Sequence, residues 1–235
     1  MSTVLFVRHG LTAVTGSTLL GWTPGVPLDE RGEAQAEAVA RRLAGLPLAA
    51  VVTSPLERCR QTAEAIAAGR AAPLVDERFG ECGYGEWTGR KLSELAKEPL
   101  WRVVQSHPSA VRFPGGESMT EVAHRAVGAV RAWNAELGAD AVYAVCSHGD
   151  VIKAIVADAL GLHLDQFQRI QIDPCSVTAV RYTELRPFVL RLNDTDDLAA
   201  VLPPPPAEGG EAAEGSDAVV GGGAGGPAAP PSSTG

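Results

Sequence analysis

Arg8 and His9 stand at the end of a four-residue apolar run, residues 4–7, and Gly10 follows them. His148 and Gly149 follow a second apolar run, residues 141–146. A third, 51–53, leads into Ser54-Pro55 and then Arg58. Two guanidinium groups match phosphate oxygens through planar, charge-assisted forks. Their positive field disfavours an imidazolium beside them, and a neutral imidazole is a nucleophile. Two histidines also suit a metal, although neighbouring arginines repel cations. Spacing alone leaves two readings open: an anion site, or two unrelated strand ends that carry polar residues to solvent.

The elements around these residues decide whether they meet. The three runs are short and rich in β-branched residues, and so read as buried strands. In an open α/β sheet the binding crevice lies beyond the carboxyl ends of the strands. If the strands are neighbours, one edge carries Arg8, His9, Arg58 and His148. Between them the spacing predicts helices. One covers 28–46, with Asp29 as N-cap and Ala36, Val39, Ala40 and Leu43 on one face. Another covers 55–70, with Pro55 at its first position. Residues 73–79 read as a weak strand, and 90–107 as helix broken near Pro99. Ser118 and Glu121 make a capping box for a helix over 118–138, buried through Met119, Val122, Ala126, Val130, Trp133 and Leu137. A helix over 150–162 and strands at 169–172, 176–184 and 188–193 complete the pattern. Such alternation predicts an α/β fold, a three-layer αβα sandwich with a mostly parallel central sheet.

The chain has 235 residues, 45% hydrophobic and 20% charged, with a net charge of −8. That balance argues against a general nucleic-acid binder, which needs a basic face. Half of the net charge sits in residues 203–235, where sixteen of 33 residues are Gly or Pro and none is Lys or Arg. Such a segment buries too little apolar surface to offset the entropy of ordering it. The expected division is a catalytic domain over 1–200 and a disordered acidic Pro/Gly-rich tail over 201–235. Removing that tail is expected to leave activity and thermal stability unchanged. Four cysteines without a CxxC pair read as reduced thiols in a cytoplasmic protein. No signal peptide and no apolar run of membrane-spanning length is visible.

Four segments, "VRHGLT", "SPLERCRQTA", "ECGYGEW" and "SHGDV", occur in the order of the motifs of the histidine phosphatase superfamily. "PLDERGEAQA" and "FPGGES" are similar to its intervening segments. The resemblance covers roughly residues 3 to 190 and implies a phosphoglycerate mutase-like fold. It implies that His9 is the nucleophile that takes the phosphoryl group, its other ring nitrogen held by a backbone carbonyl. Arg8, Arg58 and His148 match the residues that hold the phosphate. Glu81, four residues before Gly85, matches the general acid, with Glu86 at the wrong offset. Thr12, Thr15 and Gly149 complete the expected substrate contacts, Thr15 standing where many relatives have Asn. The family uses no metal, and no cofactor is implied.

The activity expected is hydrolysis of a small phosphorylated metabolite through a phosphohistidine. A phosphomutase of the phosphoglycerate mutase type is the alternative, and a silent phosphate-binding module the second. The segment between Glu81 and His148 is short for a closed mutase lid, which favours hydrolysis. Arg90, Lys91, Lys97, Arg102 and Arg112 either steer an anion or form a solvated face. Trp87, Trp101 and Phe113 either stack on a leaving group or pack the core. His107, His124 and His163 read as surface residues, and Cys82 as an inert thiol. A small phosphorylated substrate is the expected partner, with no nucleic acid or membrane, and a homodimer is allowed.

Overall fold

A computed structural model describes residues 1–196 together with Gly221 and Gly223. The other residues of the expected tail lie outside the described part of the chain. The strands are β1 (Ser2–Arg8), β2 (Leu48–Thr53), β3 (Leu74–Val75), β4 (Val142–Ser147), β5 (Val177–Tyr182) and β6 (Pro187–Asp194). They form one sheet in the order β3-β2-β4-β1-β5-β6. β1, β2, β3 and β4 run parallel, while β5 is antiparallel to β1 and to β6.

Both faces of the central strands are covered, so β1 reads as a continuous apolar run. Val4 and Phe6 face one layer; Leu5 and Val7 face the other. The first layer contains α5 (Met119–Leu137) and α6 (Gly149–Ala159), the second α1 (Glu30–Leu43) and α2 (Glu57–Ile66). Two shorter helices, α3 (Leu92–Leu95) and α4 (Pro99–Ser106), sit between β3 and α5, separated where Pro99 begins the second. This is the α/β sandwich that the alternation predicts.

The local signals act as their chemistry dictates. Asp29 accepts from the Gly32 N–H and caps α1. Ser118 and Glu121 close the capping box of α5 in both directions. We expect Ser118→Ala to cost about 1 kcal/mol. In a domain of this size that lowers the thermal midpoint by roughly 2–4 °C, readable in a calorimetric scan.

Two expectations change. Residues 169–172 form no strand; Ile170 and Ile172 are buried in an irregular segment. The Ile170 N–H bonds the Phe167 carbonyl, and the Ile172 carbonyl accepts from Arg8 Nη1. These backbone groups thus serve a turn and an arginine instead of a ladder. Residues 73–79 shrink to the two-residue β3 and a 3₁₀ turn, Glu77–Phe79, capped by Asp76. That turn leads directly into Glu81.

Candidate active site

The register of the sheet brings the polar strand ends together. Arg8 lies opposite Ser147 on β4, and the His9 N–H continues the ladder to the Ser147 carbonyl at 3.0 Å. His9 and His148 therefore leave neighbouring strands at the same edge, with ring centroids 5.3 Å apart, edge to face. Thr53 lies opposite Cys146, which brings Ser54 and the start of α2 to that edge too. Gly10 is needed for this closure. A Cβ there would lie 2.5 Å from the Gly32 carbonyl oxygen, because the loop after β1 packs on the backbone of α1.

Each functional group is then aimed. His9 Nδ1 donates to its neighbouring Gly10 carbonyl at 2.7 Å, which leaves the Nε2 lone pair free. Burial, then Arg58 and Arg8, hold its pKa well below the ordinary histidine value, so the ring is a neutral base. Arg8 is anchored by Nη1 to the Ile172 carbonyl at 2.8 Å, and Arg58 by Nη2 to the Gly21 carbonyl at 2.9 Å. Both arginines are 1% exposed. Among the described residues, Arg58 Nε and Nη1 have no hydrogen-bond partner, although both are buried. Buried donors left so in a fold call for an explanation, and an anion received between the two arginines supplies one.

Glu81 sits on the loop after the 3₁₀ turn. Ser147 Oγ donates to the Phe79 carbonyl at 2.7 Å and joins that loop to the end of β4. Arg125 on α5 holds the other side, donating to the carbonyls of Arg78, Gly80 and Glu81. It also pairs with Glu117, whose carboxylate accepts the Gly83 N–H. The Glu81 side chain is buried and accepts the Cys82 N–H through Oε1. Burial, then the nearby Asp150 charge, raises its pKa to about 7 against the opposing pull of that N–H and the two arginines. Its Oε2 lies 3.7 Å from His148 Nδ1. His148 is held neutral by burial and then by Arg58, so the contact is not an ion pair. His148 Nε2 is hydrogen-bonded to Ser54 Oγ at 2.8 Å.

One cavity collects Arg8, His9, Thr15, Arg58 and Glu81 in its wall. Thr15 Oγ1 accepts the Thr12 N–H and bonds the Thr12 hydroxyl, each at 2.9 Å. Thr12 is buried behind Thr15, and neither it, His148 nor Gly149 reaches the cavity wall. Trp87, Trp101 and Phe113 pack in the core. Arg90 and Arg112 are paired with Glu98 and Glu121. His107, His124 and His163 are exposed. Cys82 is buried, and that burial pushes its thiol well up, away from thiolate chemistry. Among the described residues no group of three or more His, Cys, Asp or Glu is placed to hold a metal, and no helix is long and apolar enough to cross a membrane.

The motifs contain further site residues to which sequence reasoning gave no role. Tyr84, in "ECGYGEW", donates to Asp150 Oδ2 at 3.1 Å, and Asp150, in "SHGDV", is 1% exposed. Lys153 Nζ lies 3.5 Å from Asp150 Oδ1 and compensates its charge. The i, i+3 spacing of Asp150 and Lys153 was a readable signal. Nothing in the spacing marked Arg125 as the clamp of the Glu81 loop.

An α/β sandwich with a neutral histidine and two buried arginines at the carboxyl edge of its parallel strands defines a phosphate-handling class. The family description that matches residues 4–195 is the histidine phosphatase superfamily, branch 1, and the chain belongs to that superfamily. Its enzymes are phosphatases or phosphoglycerate mutase-like proteins. Among curated relatives, the probable phosphoglycerate mutase GpmB of Cronobacter sakazakii is 35% identical over 188 residues, 78% of this chain and 86% of the relative. Among solved structures, YhfR of Bacillus stearothermophilus superposes with a TM-score of 0.75 at 27% identity, over 83% of this chain and 98% of the other. A mycobacterial glucosyl-3-phosphoglycerate phosphatase does so with a TM-score of 0.73 at 26% identity, covering 82% and 98%.

Proposed function

We propose that the protein is a phosphomonoester hydrolase that works through a phosphohistidine at His9 on a small phosphorylated metabolite. The observation that carries this reading is the pairing of a free His9 Nε2 lone pair with the unpartnered Nε and Nη1 donors of Arg58 in one buried site. The arginines would bind the phosphoryl oxygens and the charge that spreads over them in the transition state. His9 Nε2 would attack phosphorus as the bond to the leaving oxygen breaks, and Glu81 would give that oxygen its proton. Water would then attack the phosphohistidine, Glu81 taking a proton back, and phosphate would leave with His9 restored. A carboxyl with a pKa of about 7 suits both halves of that cycle. His148, beside His9 and with its Nδ1 facing Glu81, would act by positioning the Glu81 carboxyl.

Hydrolysis is favoured over phosphoryl shuffling by the segment between Glu81 and His148. A mutase must keep water out and hold a dephosphorylated intermediate under a lid with its own anion-binding groups. Here the segment folds into the core through Trp87, Trp101 and Phe113, and two of its cations are committed to Glu98 and Glu121. The mycobacterial phosphatase supports hydrolysis, whereas the name of the Cronobacter relative favours the mutase reading. The cytoplasm is the compartment we infer, from four free and buried thiols.

We expect free phosphate from at least one member of a panel of small phosphomonoesters. With 3-phosphoglycerate and a bisphosphate primer we expect little 2-phosphoglycerate. Efficient 2-phosphoglycerate formation, with negligible phosphate from the whole panel, would establish the mutase instead.

A further inference from the structure

Trp22 stands apart from the other tryptophans. Trp87, Trp101 and Trp133 are buried, whereas Trp22 is 39% exposed, so core packing does not account for it. It lies in the loop between β1 and α1, and it meets the segment that carries Glu81. A Cβ on Gly80 would lie 2.3 Å from Trp22 Cζ2, so the indole rests directly on the backbone at that glycine. Trp22 Nε1 donates to the Glu81 carbonyl. The residue before it reaches Arg58: the Gly21 carbonyl accepts from Arg58 Nη2 at 2.9 Å. Gly21 has φ +51°, and a Cβ on it would lie 3.0 Å from Thr88 Oγ1 and 3.1 Å from Tyr84 Cδ2, a place that suits glycine. Two consecutive residues therefore touch Arg58 and the backbone of Glu81.

We propose that Trp22 is a positioning residue for Glu81, and that it acts through the peptide joining Glu81 to Cys82. That peptide is planar and trans, so its C=O and N–H point in opposite directions. The C=O is held by two donors, Trp22 Nε1 and Arg125 Nη2, the second at 2.9 Å. Those bonds take both lone pairs of the oxygen. The N–H of the same peptide is thereby aimed at Glu81 Oε1, which accepts it at 2.9 Å. With Oε1 so held, Oε2 keeps its place 3.7 Å from His148 Nδ1. A carboxyl that gives its proton to a leaving oxygen must lie within hydrogen-bond reach of it, so its aim matters as much as its charge. Trp22 does not itself line the cavity, and it acts only through the backbone. Arg125 ties the Glu81 loop to α5. Trp22 ties it to the segment that holds Arg58, and so registers the proton donor against a group that binds the phosphoryl oxygens.

The proposal rests on the reading of Glu81 as general acid, and its test separates the two. Trp22→Phe keeps an aromatic ring beside Gly80 and loses the N–H. It is compared in the full chain with the parent, with Glu81→Gln and with the double variant. The readout is kcat/KM, which reports phosphoenzyme formation, for an alkyl phosphate and for p-nitrophenyl phosphate. Inorganic phosphate is titrated into each protein by calorimetry as a check on the arginines. We expect Trp22→Phe to lower kcat/KM about tenfold for the alkyl phosphate, the scale of one hydrogen bond lost at a positioned group. The loss should be under about twofold for p-nitrophenyl phosphate, whose leaving oxygen needs no proton. Phosphate affinity should match that of the parent. In the Glu81→Gln background the same substitution should cost almost nothing more, because the group it positions is gone. A Trp22→Phe that matches the parent on the alkyl phosphate, while Glu81→Gln separates the two substrates, overturns the proposal and leaves the acid reading standing. Equal slowing of both substrates by Trp22→Phe overturns it too, as does a tenfold loss repeated on top of Glu81→Gln. If Glu81→Gln itself fails to separate the substrates, the acid reading falls and the proposal falls with it.

Discussion

His9→Ala is expected to lose kcat by about 10⁴-fold or more, because among the described residues lining the cavity His9 alone offers a neutral ring nitrogen beside both arginines. Such a loss corresponds to about 5.5 kcal/mol of transition-state stabilisation. His9 alone combines a free, neutral ring nitrogen with the two buried arginines. His148 cannot replace it, because its Nε2 is engaged by Ser54 Oγ and its Nδ1 faces Glu81. The arginines are untouched by the substitution, so the variant should still bind inorganic phosphate. That binding would distinguish a lost nucleophile from a collapsed site. A denaturing quench of the parent with a turned-over substrate should trap an acid-labile phosphoenzyme, absent in the variant. Normal turnover by His9→Ala would remove the covalent mechanism.

Much of this site was legible in the sequence because it is built at strand ends. The runs before Arg8 and His148 had to be buried strands, and parallel pairing of two such strands places both residues at one edge whatever the loops do. Asp29 and Ser118 were readable for the same reason: their caps are satisfied within one turn. What escaped depends on long-range contacts without a local signature. The Ile172 carbonyl receives Arg8 from across the fold, so a segment that reads as a strand is not one. Arg125 clamps the Glu81 loop from the polar side of a helix, where an arginine ordinarily needs no explanation.

Glu81→Gln is expected to separate substrates by their leaving groups. A general acid contributes about 10²–10⁴-fold, and only where the leaving oxygen needs a proton in the transition state. Alkyl phosphates should therefore slow by about that factor, while p-nitrophenyl phosphate should change far less in its first step. The pH profile carries the same signature. Burial and Asp150 raise the Glu81 pKa to about 7, so the proton donor is present below that pH and lost above it. In the parent, phosphoenzyme formation from an alkyl phosphate should fall as pH rises through about 7, and Glu81→Gln should lose that limb. Stability should respond with a definite sign. The folded-state pKa of Glu81 lies above the unfolded value, so the fold is favoured at low pH and loses that contribution as pH rises toward 7 and beyond. Gln carries no such charge, so the thermal midpoint of Glu81→Gln relative to the parent should climb between pH 5 and pH 8. His9 and His148 shift in the opposite sense. Their pKa values are depressed, so their contribution is lost as pH falls below the ordinary histidine value, in parent and variant alike. The difference between the two proteins therefore isolates the carboxyl. Equal slowing of alkyl and aryl substrates, with no pH-dependent gap in thermal midpoint, would make Glu81 a structural residue and leave the leaving oxygen without a proton donor in this cavity.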